Sequence, residues 1–364
     1  MTPGEAAGPL RVSICIDNYN YAEYLGEAID SALGQTYPHV EVIVVDDGSE
    51  DDSRSVVSRY GDQVMAVFQD NAGQGAAFRS GFTRSSGDIV FFLDADDRLR
   101  ADAAEVVVRA FASKPDLVKV QYRMAVIDAE GDDTGVLWPP MGAILPSGDL
   151  RAAVVRFRSY PWQPTTGAAF AASFLRRVLP EDDVLYHQGV DTALNLIAPL
   201  VGPIVSLPDV HADYRMHNRN DSASLALGVE YFHRRIALVR DIHTRALQLE
   251  VGRLPRLPQD VNAAADVSFM TYRLASLKLD RVHHPLPSDR TSTLVRRGIG
   301  AALTNPFLPG RQRVIRSLWF LAVGVVPRPI ARRLIEFYSP DTPRQSHREF
   351  HAPKRRRSRG RSGG

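Results

Sequence analysis

Asp94 and Asp96 stand two residues apart at the end of the apolar run Ile89 to Leu93. At that spacing two carboxylates turn toward one point once a strand relaxes into a loop. Like charges a few ångströms apart repel and drive one pKa upward unless a cation lies between them. Hard oxygen ligands with open positions suit Mg²⁺ or Mn²⁺ bridging a diphosphate. The structural alternative is that strand-end acids cap a following helix. Two further polar clusters follow apolar runs, Asp17-Asn18-Tyr19-Asn20 and Asp46-Asp47-Gly48-Ser49.

These clusters need elements that bring them together. Val12 to Ile16, Val40 to Val45, Val64 to Phe68 and Ile89 to Leu93 are short β-rich runs. Segments with helical spacing or turn chemistry separate them, a pattern that predicts an α/β fold with a mostly parallel sheet flanked by helices. Glu23 to Gln35 sets Leu25, Ala28, Ile29, Ala32 and Leu33 on one helical face, and Ser53 to Tyr60 does the same with Val56, Val57 and Tyr60. In open α/β sheets ligands bind beyond the carboxyl ends of strands, so the three clusters are expected to line one crevice. Residues 139–208 are mixed and rich in Gly and Pro, with a strand-like exit at Pro203 to Leu207. The spacing then predicts a mainly helical region over 225–340 and a disordered basic tail over 341–364, behind a sheet domain over 10–224.

The chain of 364 residues is 44% hydrophobic and 24% charged, enough for a sizeable core. Its net charge of +2 hides a basic tail carrying Lys354, Arg355, Arg356, Arg357, Arg359 and Arg361. Without that tail the body is mildly acidic and has no nucleic-acid footprint, so no specific nucleic acid is expected as a partner. Cys15 is the only cysteine, which excludes an intrachain disulfide and a thiolate zinc cluster. Met1 to Pro9 lacks the pattern of a secretory signal. The longest apolar stretch, Leu318 to Val326, is about half the ~20 residues a spanning helix needs. A cytoplasmic protein is expected, soluble or peripheral at the inner face of the cell membrane.

Several ordered blocks carry a family resemblance: Ile14 to Asn20 with the helix after it, Val42 to Ser49, Asn71-Ala72-Gly73-Gln74-Gly75, and Gly87 to Asp97. Over roughly residues 10 to 220 they resemble the nucleotide-sugar domain of family 2 glycosyltransferases, which has the Rossmann-like GT-A fold. The resemblance implies an inverting, metal-dependent hexosyltransferase of bacterial glycan or polysaccharide synthesis. It implies a nucleotide diphosphate sugar as donor, UDP foremost, and a glycan or lipid-linked acceptor. Asn18, Tyr19, Asn20, Asp46, Asp47, Asn71, Gly75 and Asp94 would then bind the donor. Tyr19 would line the base pocket, Asp46 would hydrogen-bond the nucleobase and Asp47 would sit near the ribose. Taken without the resemblance, Tyr19 is equally a surface aromatic, and Asp47-Gly48-Ser49 equally a helix N-cap signal.

Downstream, Pro164-Thr165-Thr166-Gly167 resembles the family's acceptor-side segment, which implies that Thr166 and Gly167 meet the acceptor. Gly189-Val190-Asp191 falls where members carry a Glu-Asp pair, so Asp191 matches the general base while Val190 replaces the first acid. Asp191 also reads as a cap of the helix after it. Tyr214-Arg215-Met216-His217 with Asn218 to Ser222 resembles a closing segment. It implies His217 as a third ligand to Mn²⁺ or Mg²⁺ beside Asp94 and Asp96, or else as a partner of the phosphates or the protein. The chain departs from the family pattern at Asp17, often Pro, and at Ala77-Phe78-Arg79, often Ala-Arg-Asn, which leaves the role of Arg79 open.

The competing reading is a nucleotide-sugar-binding protein of the same fold without catalysis. From Arg311 to Tyr338 arginines interleave with Leu318, Trp319, Phe320, Leu321, Val325 and Val326. This predicts either an amphipathic helix packed on the domain or an interfacial segment, with residues 311–364 meeting an anionic membrane surface through Trp319 and Phe320.

Overall fold

The four N-terminal apolar runs form the parallel strands β1 (Val12–Asn18), β2 (Val40–Asp47), β3 (Met65–Gln69) and β4 (Ile89–Asp94). They are seen in a computed structural model, which describes residues 8–179, 189–217, 228–248 and 266–337. β1 lies between β2 and β4, with β3 beyond β2. The near-continuous Val and Ile content of β1, β2 and β4 is what burial on both faces of a parallel sheet requires. The register pairs Asp17 with Asp94, Asn18 with Asp46 and Asp47 with Gln69. The polar strand ends therefore share one rim.

Helices α1 (Ala22–Leu33), α2 (Ser53–Ser58) and α3 (Gln74–Arg84) connect these strands. α1 buries Leu25, Ala28, Ile29 and Ala32, while Leu33 points outward. Phe78 of α3 stacks on Phe92 of β4 with ring centroids 4.1 Å apart, clamping the helix to the sheet.

Past β4 the sheet becomes mixed. After β5 (Arg98–Leu99) and α4 (Ala103–Ser113) come β6 (Lys119–Ile127), β7 (Asp133–Trp138), α5 (Arg151–Phe157) and β8 (Ala168–Ala171). Then follow α6 (Ala172–Val178), α7 (Val190–Val201) and β9 (Ile204–Arg215). The strand order is β3-β2-β1-β4-β8-β6-β9-β5, with β7 also on β6. β8 runs antiparallel to both β4 and β6, and β9 runs parallel to β6. β9 is much longer than the exit strand expected at Pro203 to Leu207.

Among the described residues five helices follow: α8 (Val229–Gln248), α9 (Val267–Leu279), α10 (Thr291–Thr304), α11 (Gly310–Val325) and α12 (Arg328–Phe337). They enclose a second apolar core around Phe232, Phe269, Leu274, Leu294 and Phe320. α8 joins the two cores, because Ile242 packs with the sheet's core and Phe232 and Ile236 with the helical one. Trp319 and Phe320 are buried in the helical core, which matches the packed alternative for this segment and not a lipid-facing surface built on these two side chains. The Asp280–Asp289 turn is tied to α9 by a buried Arg273–Asp289 ion pair, which His284 joins through Nε2 at 3.1 Å. Among the described residues no helix is long and apolar enough to cross a membrane. The basic tail lies outside the described residues.

α10 and α11 approach closely at Gly298, where an added Cβ would sit 2.3 Å from Phe320 Cε1. Gly298→Ala removes a helix-disfavouring glycine worth about 1 kcal/mol, yet forces Phe320 off its seat. Net destabilisation of roughly 1 to 2 kcal/mol is expected by chemical denaturation. A raised midpoint would contradict the close crossing.

Candidate active site

On the β1–β2 side of the rim, Asp46 Oδ1 accepts from Asn18 Nδ2 at 2.7 Å and from the Ser49 hydroxyl. Asn20 adopts a left-handed φ of 60°. Its backbone N–H donates to Ser49 Oγ at 2.9 Å, and its Oδ1 accepts from the Glu50 N–H at 2.8 Å. Asn18, Asn20, Asp46 and Ser49 therefore form one braced corner, and Tyr19 stands at its lip with 46% of its surface open. The φ of 76° at Gly48 lets this turn lie against Asn71, whose nitrogen would be 2.6 Å from any Cβ there.

Asp47 faces the other way. Its Oδ1 accepts from Gln69 Nε2 at 2.7 Å and the Ala72 N–H at 3.0 Å, and its Oδ2 accepts from the Gly73 N–H at 2.8 Å. The carboxylate thus pins the loop that carries Asn71, exposed, into α3, where Gly75 is buried in the first turn. The N-caps of α2 and α4 are Asp52 and Asp102, so neither Asp47-Gly48-Ser49 nor Asp94-Ala95-Asp96 caps a helix.

Five carboxylates gather where β1 and β4 end: Asp17, Asp94, Asp96, Asp97 and Asp191. Gln74 Nε2 bridges Asp17 Oδ2 at 3.3 Å and Asp94 Oδ1 at 3.2 Å. Thr165 and Thr166 add long contacts of 3.5 Å to the Asp94 oxygens. Asp97 Oδ1 accepts from the Arg215 N–H at 2.8 Å. Asp17 Oδ1 and Asp97 Oδ2 are buried without a hydrogen-bond partner.

Burial, then repulsion from Asp96 and Asp47, pushes the Asp17 carboxyl up to about 7. Burial followed by the negative neighbours Asp17, Asp97, Asp96 and Asp191 lifts Asp94 well above the carboxylate range, and burial and Asp96 do the same to Asp97. Asp191 is raised mainly by burial, with Arg235 of α8 acting against that shift. So crowded a set of acids is held either by protons or by a cation. Unpartnered buried oxygens in a cluster of carboxylates fit a hard divalent ion. Among the described residues no three His, Cys, Asp or Glu side chains form a ready cage.

His217, just beyond β9, is buried, stacked on Tyr24 at 5.0 Å and set 5.6 Å from Tyr21. Its Nε2 lies 3.0 Å from Asp96 Oδ2, so the structure brings it to the expected carboxylate. Arg215 does the positioning. Its Nε donates to the Asp96 carbonyl at 2.8 Å, its Nη2 to Glu27 Oε2 at 2.6 Å and its Nη1 to the Ala129 carbonyl at 3.1 Å. The guanidinium also lies 4.7 Å over the Tyr24 ring. Residues Asn218 to Ser222 of the closing segment lie outside the described residues.

Thr166 and Gly167 lie in a buried 3-10 turn (Thr165–Gly167), held by Tyr122, whose hydroxyl donates to the Thr166 carbonyl at 2.7 Å. Asp191 is the second residue of α7, behind Gly189 at the N-cap with φ 84°. Its Oδ1 receives the Thr192 hydroxyl at 3.2 Å, and with Gly189 at the N-cap Asp191 lies inside the helix and is not its cap. Behind it Asn195 Nδ2 donates to the Asp191 carbonyl at 2.8 Å and the Gln163 carbonyl at 3.1 Å. Asn195 Oδ1 accepts from the fully buried Lys119, whose Nζ also reaches Gln121 Oε1 at 2.7 Å and the Tyr160 hydroxyl at 3.0 Å. Burial lowers the Lys119 amine well below its usual pKa. This network fixes the start of α7 to the segment leading into Thr165.

Asp17, Gln74, Asp97 and Arg215 lie inside motif blocks legible in the sequence but have no individual role assigned there, whereas Arg235 and Lys119 give no local signal.

An α/β sheet whose strand ends carry a braced Asp46 corner beside a carboxylate cluster is the architecture of the GT-A fold. The glycosyl transferase family 2 profile matches residues 13–179. An uncharacterized glycosyltransferase of Nostoc sp. is 34% identical over 222 residues, spanning 60% of this chain and 68% of the relative. Another, from Rickettsia prowazekii, is 44% identical over 86 residues, where the match spans 24% of this chain and 27% of the relative. The crystal structure of S. aureus TarS 1-349 in complex with UDP-GlcNAc shares the fold, with a TM-score of 0.51, 17% identity and coverage of 93% of this chain and 92% of that one. The chain belongs to glycosyltransferase family 2.

Proposed function

We propose that this chain is an inverting, metal-dependent transferase that moves a sugar from a nucleotide diphosphate donor, UDP foremost, to an acceptor hydroxyl. The observation that carries the reading is the juxtaposition of the Asp46 corner with the cluster of Asp17, Asp94, Asp96, Asp97 and Asp191. A base offers an aromatic-stacking face and an N–H donor, which Tyr19 and Asp46 match. The UDP-GlcNAc complex of S. aureus TarS supports a uridine donor.

Asp94 and Asp96 would hold Mg²⁺ or Mn²⁺, with His217 as third ligand or as the partner that orients Asp96. The bound ion would supply positive charge to the diphosphate as it leaves. Asp191 accepts the proton of the acceptor hydroxyl while its oxygen attacks the anomeric carbon and the bond to the diphosphate breaks, inverting that centre. Arg215 keeps Asp96 and Asp97 in place, and Asn195 with Lys119 keeps Asp191 in place. Thr166 and Gly167 border the acceptor, a glycan or a lipid-linked glycan. A lipid-linked acceptor would be met at the cytoplasmic face of a membrane, to which the chain would attach peripherally. The sheet domain of residues 10–224 carries this chemistry, and the helical region of 225–340 braces it through α8.

Thermal shift against UDP-, GDP- and dTDP-sugars with and without Mn²⁺ tests the reading, since a ligand of the native state stabilises it by mass action. The carboxyl of Asp17 rises from 3.8 to about 7 in the fold. Between those values the folded chain holds more protons than the unfolded one, so the metal-free protein loses stability as pH climbs through that window. The Mn²⁺-dependent gain in Tm is therefore expected to be larger at about pH 8 than at about pH 5.5. An equal gain at both pH values, or no response to any nucleotide sugar, would contradict the assignment.

A further inference from the structure

On α11, Val314, Leu318, Leu321 and Val325 are 55%, 59%, 49% and 75% exposed, and Ile330 on α12 is 51% exposed. The four α11 positions follow one another at intervals of four, three and four residues, so they form a single stripe along the helix. The opposite face carries Trp319, Phe320 and Val323, all buried in the helical core. Three apolar residues of α11 are thus committed to packing while four stand in solvent.

Charge singles out the occupant. Between Thr291 and Phe337 the chain has eight arginines and one acid, Glu336. Arg313 and Arg328 are occupied on backbone carbonyls of Leu308 and Leu279, which stitches the helices together. Arg296, Arg311, Arg332 and Arg333 are exposed on α10, α11 and α12. After Phe337 the chain continues toward Lys354, Arg355, Arg356 and Arg357 without a compensating acidic run. A second copy of so basic a region would set arginine against arginine. An anionic lipid surface instead takes the apolar stripe into its acyl boundary and the guanidinium groups at its headgroups.

We propose that the stripe Val314, Leu318, Leu321, Val325 on α11, with Ile330 on α12, docks this chain on an anionic phospholipid surface. The proposal deepens the peripheral reading given above by naming the face, and it leaves Trp319 and Phe320 as core residues. It does not depend on the identity of the donor.

The test is co-sedimentation of the full chain with phosphatidylglycerol-containing vesicles and with pure phosphatidylcholine vesicles, at low and high salt. Binding is expected to the anionic vesicles alone and to weaken with salt, because surface attraction is screened over about 10 Å at 0.1 M. The double substitution Leu318→Glu with Leu321→Glu should reduce it at least roughly ten-fold. Its Tm and its nucleotide-sugar thermal shift should remain as in the wild type, since both side chains are exposed. No binding to anionic vesicles overturns the proposal, and so does binding that the double variant retains. A wild-type dimer in solution that the double variant abolishes would overturn it in favour of a second copy. In each of these cases an intact nucleotide-sugar shift leaves the transferase reading standing, so the two fail separately.

Discussion

Asp96→Asn is expected to lose metal-stimulated donor binding, and with it turnover by roughly 10²-fold or more. Asn keeps the size of the side chain and an oxygen for the His217 contact at 3.0 Å. Arg215 grips residue 96 through its backbone carbonyl, which the substitution does not touch. The fold should therefore survive, and only a negative charge is removed from the cluster. In the metal-free protein that removal relieves repulsion, so the variant should be at least as stable as the wild type without metal and less stabilised by Mn²⁺. Calorimetry of UDP binding with and without Mn²⁺ reads the difference. Equal metal stimulation in both proteins would move the ion to other carboxylates, Asp17 or Asp97 first.

For Asp191→Asn the expected loss is in turnover, by about 10²- to 10⁴-fold, the usual range of general-base assistance. Donor affinity should hardly change, because the Asp46 corner that would take the nucleoside makes no hydrogen bond with α7 among the described residues. Asn195, Lys119 and Gln163 fix the backbone of α7 regardless of the side chain at 191. The variant thus separates transfer from binding. If it kept most of its transfer rate, or lost donor binding in step with activity, the base would lie elsewhere.

β1, β2 and β4 were legible because they are buried on both faces and almost wholly apolar, with acids or amides at their ends, while β3 is an exposed edge strand. The rim followed, since parallel strands that start in register also end in register. β6 was not legible. Its alternation of Lys119, Gln121 and Arg123 with Val120, Tyr122 and Met124 looks like a half-exposed strand or a loop, yet the structure buries every residue of it. Those polar side chains answer to Asn195, Ser206, Pro139 and Pro208, partners far along the chain that local pattern does not reveal.

Which face of α11 packs was left open for a different reason. Leu318 to Leu321 is apolar on every side, so periodicity cannot say which half packs, and the contacts with α10 decide it. At the site, spacing alone picks out Asp94 and Asp96 as candidates, and the family resemblance adds His217 and Asp191. The participation of Asp17 and Asp97 depends on strand register and on the turn gripped by Arg215, which spacing does not supply.

The central claim is that the carboxylate cluster beside Asp46 handles a nucleotide diphosphate sugar chemically and does not merely bind it. Release of free UDP from a UDP-sugar, with Mn²⁺ and without any acceptor, tests this most directly, because many transferases slowly pass the sugar to water and a pure binding protein does not. Wild-type protein is predicted to release UDP at a measurable rate that falls at least roughly 10²-fold in Asp96→Asn and in Asp191→Asn. A wild-type protein that binds the same donor with Mn²⁺ yet releases no UDP, or one whose release is untouched by both substitutions, would contradict the account.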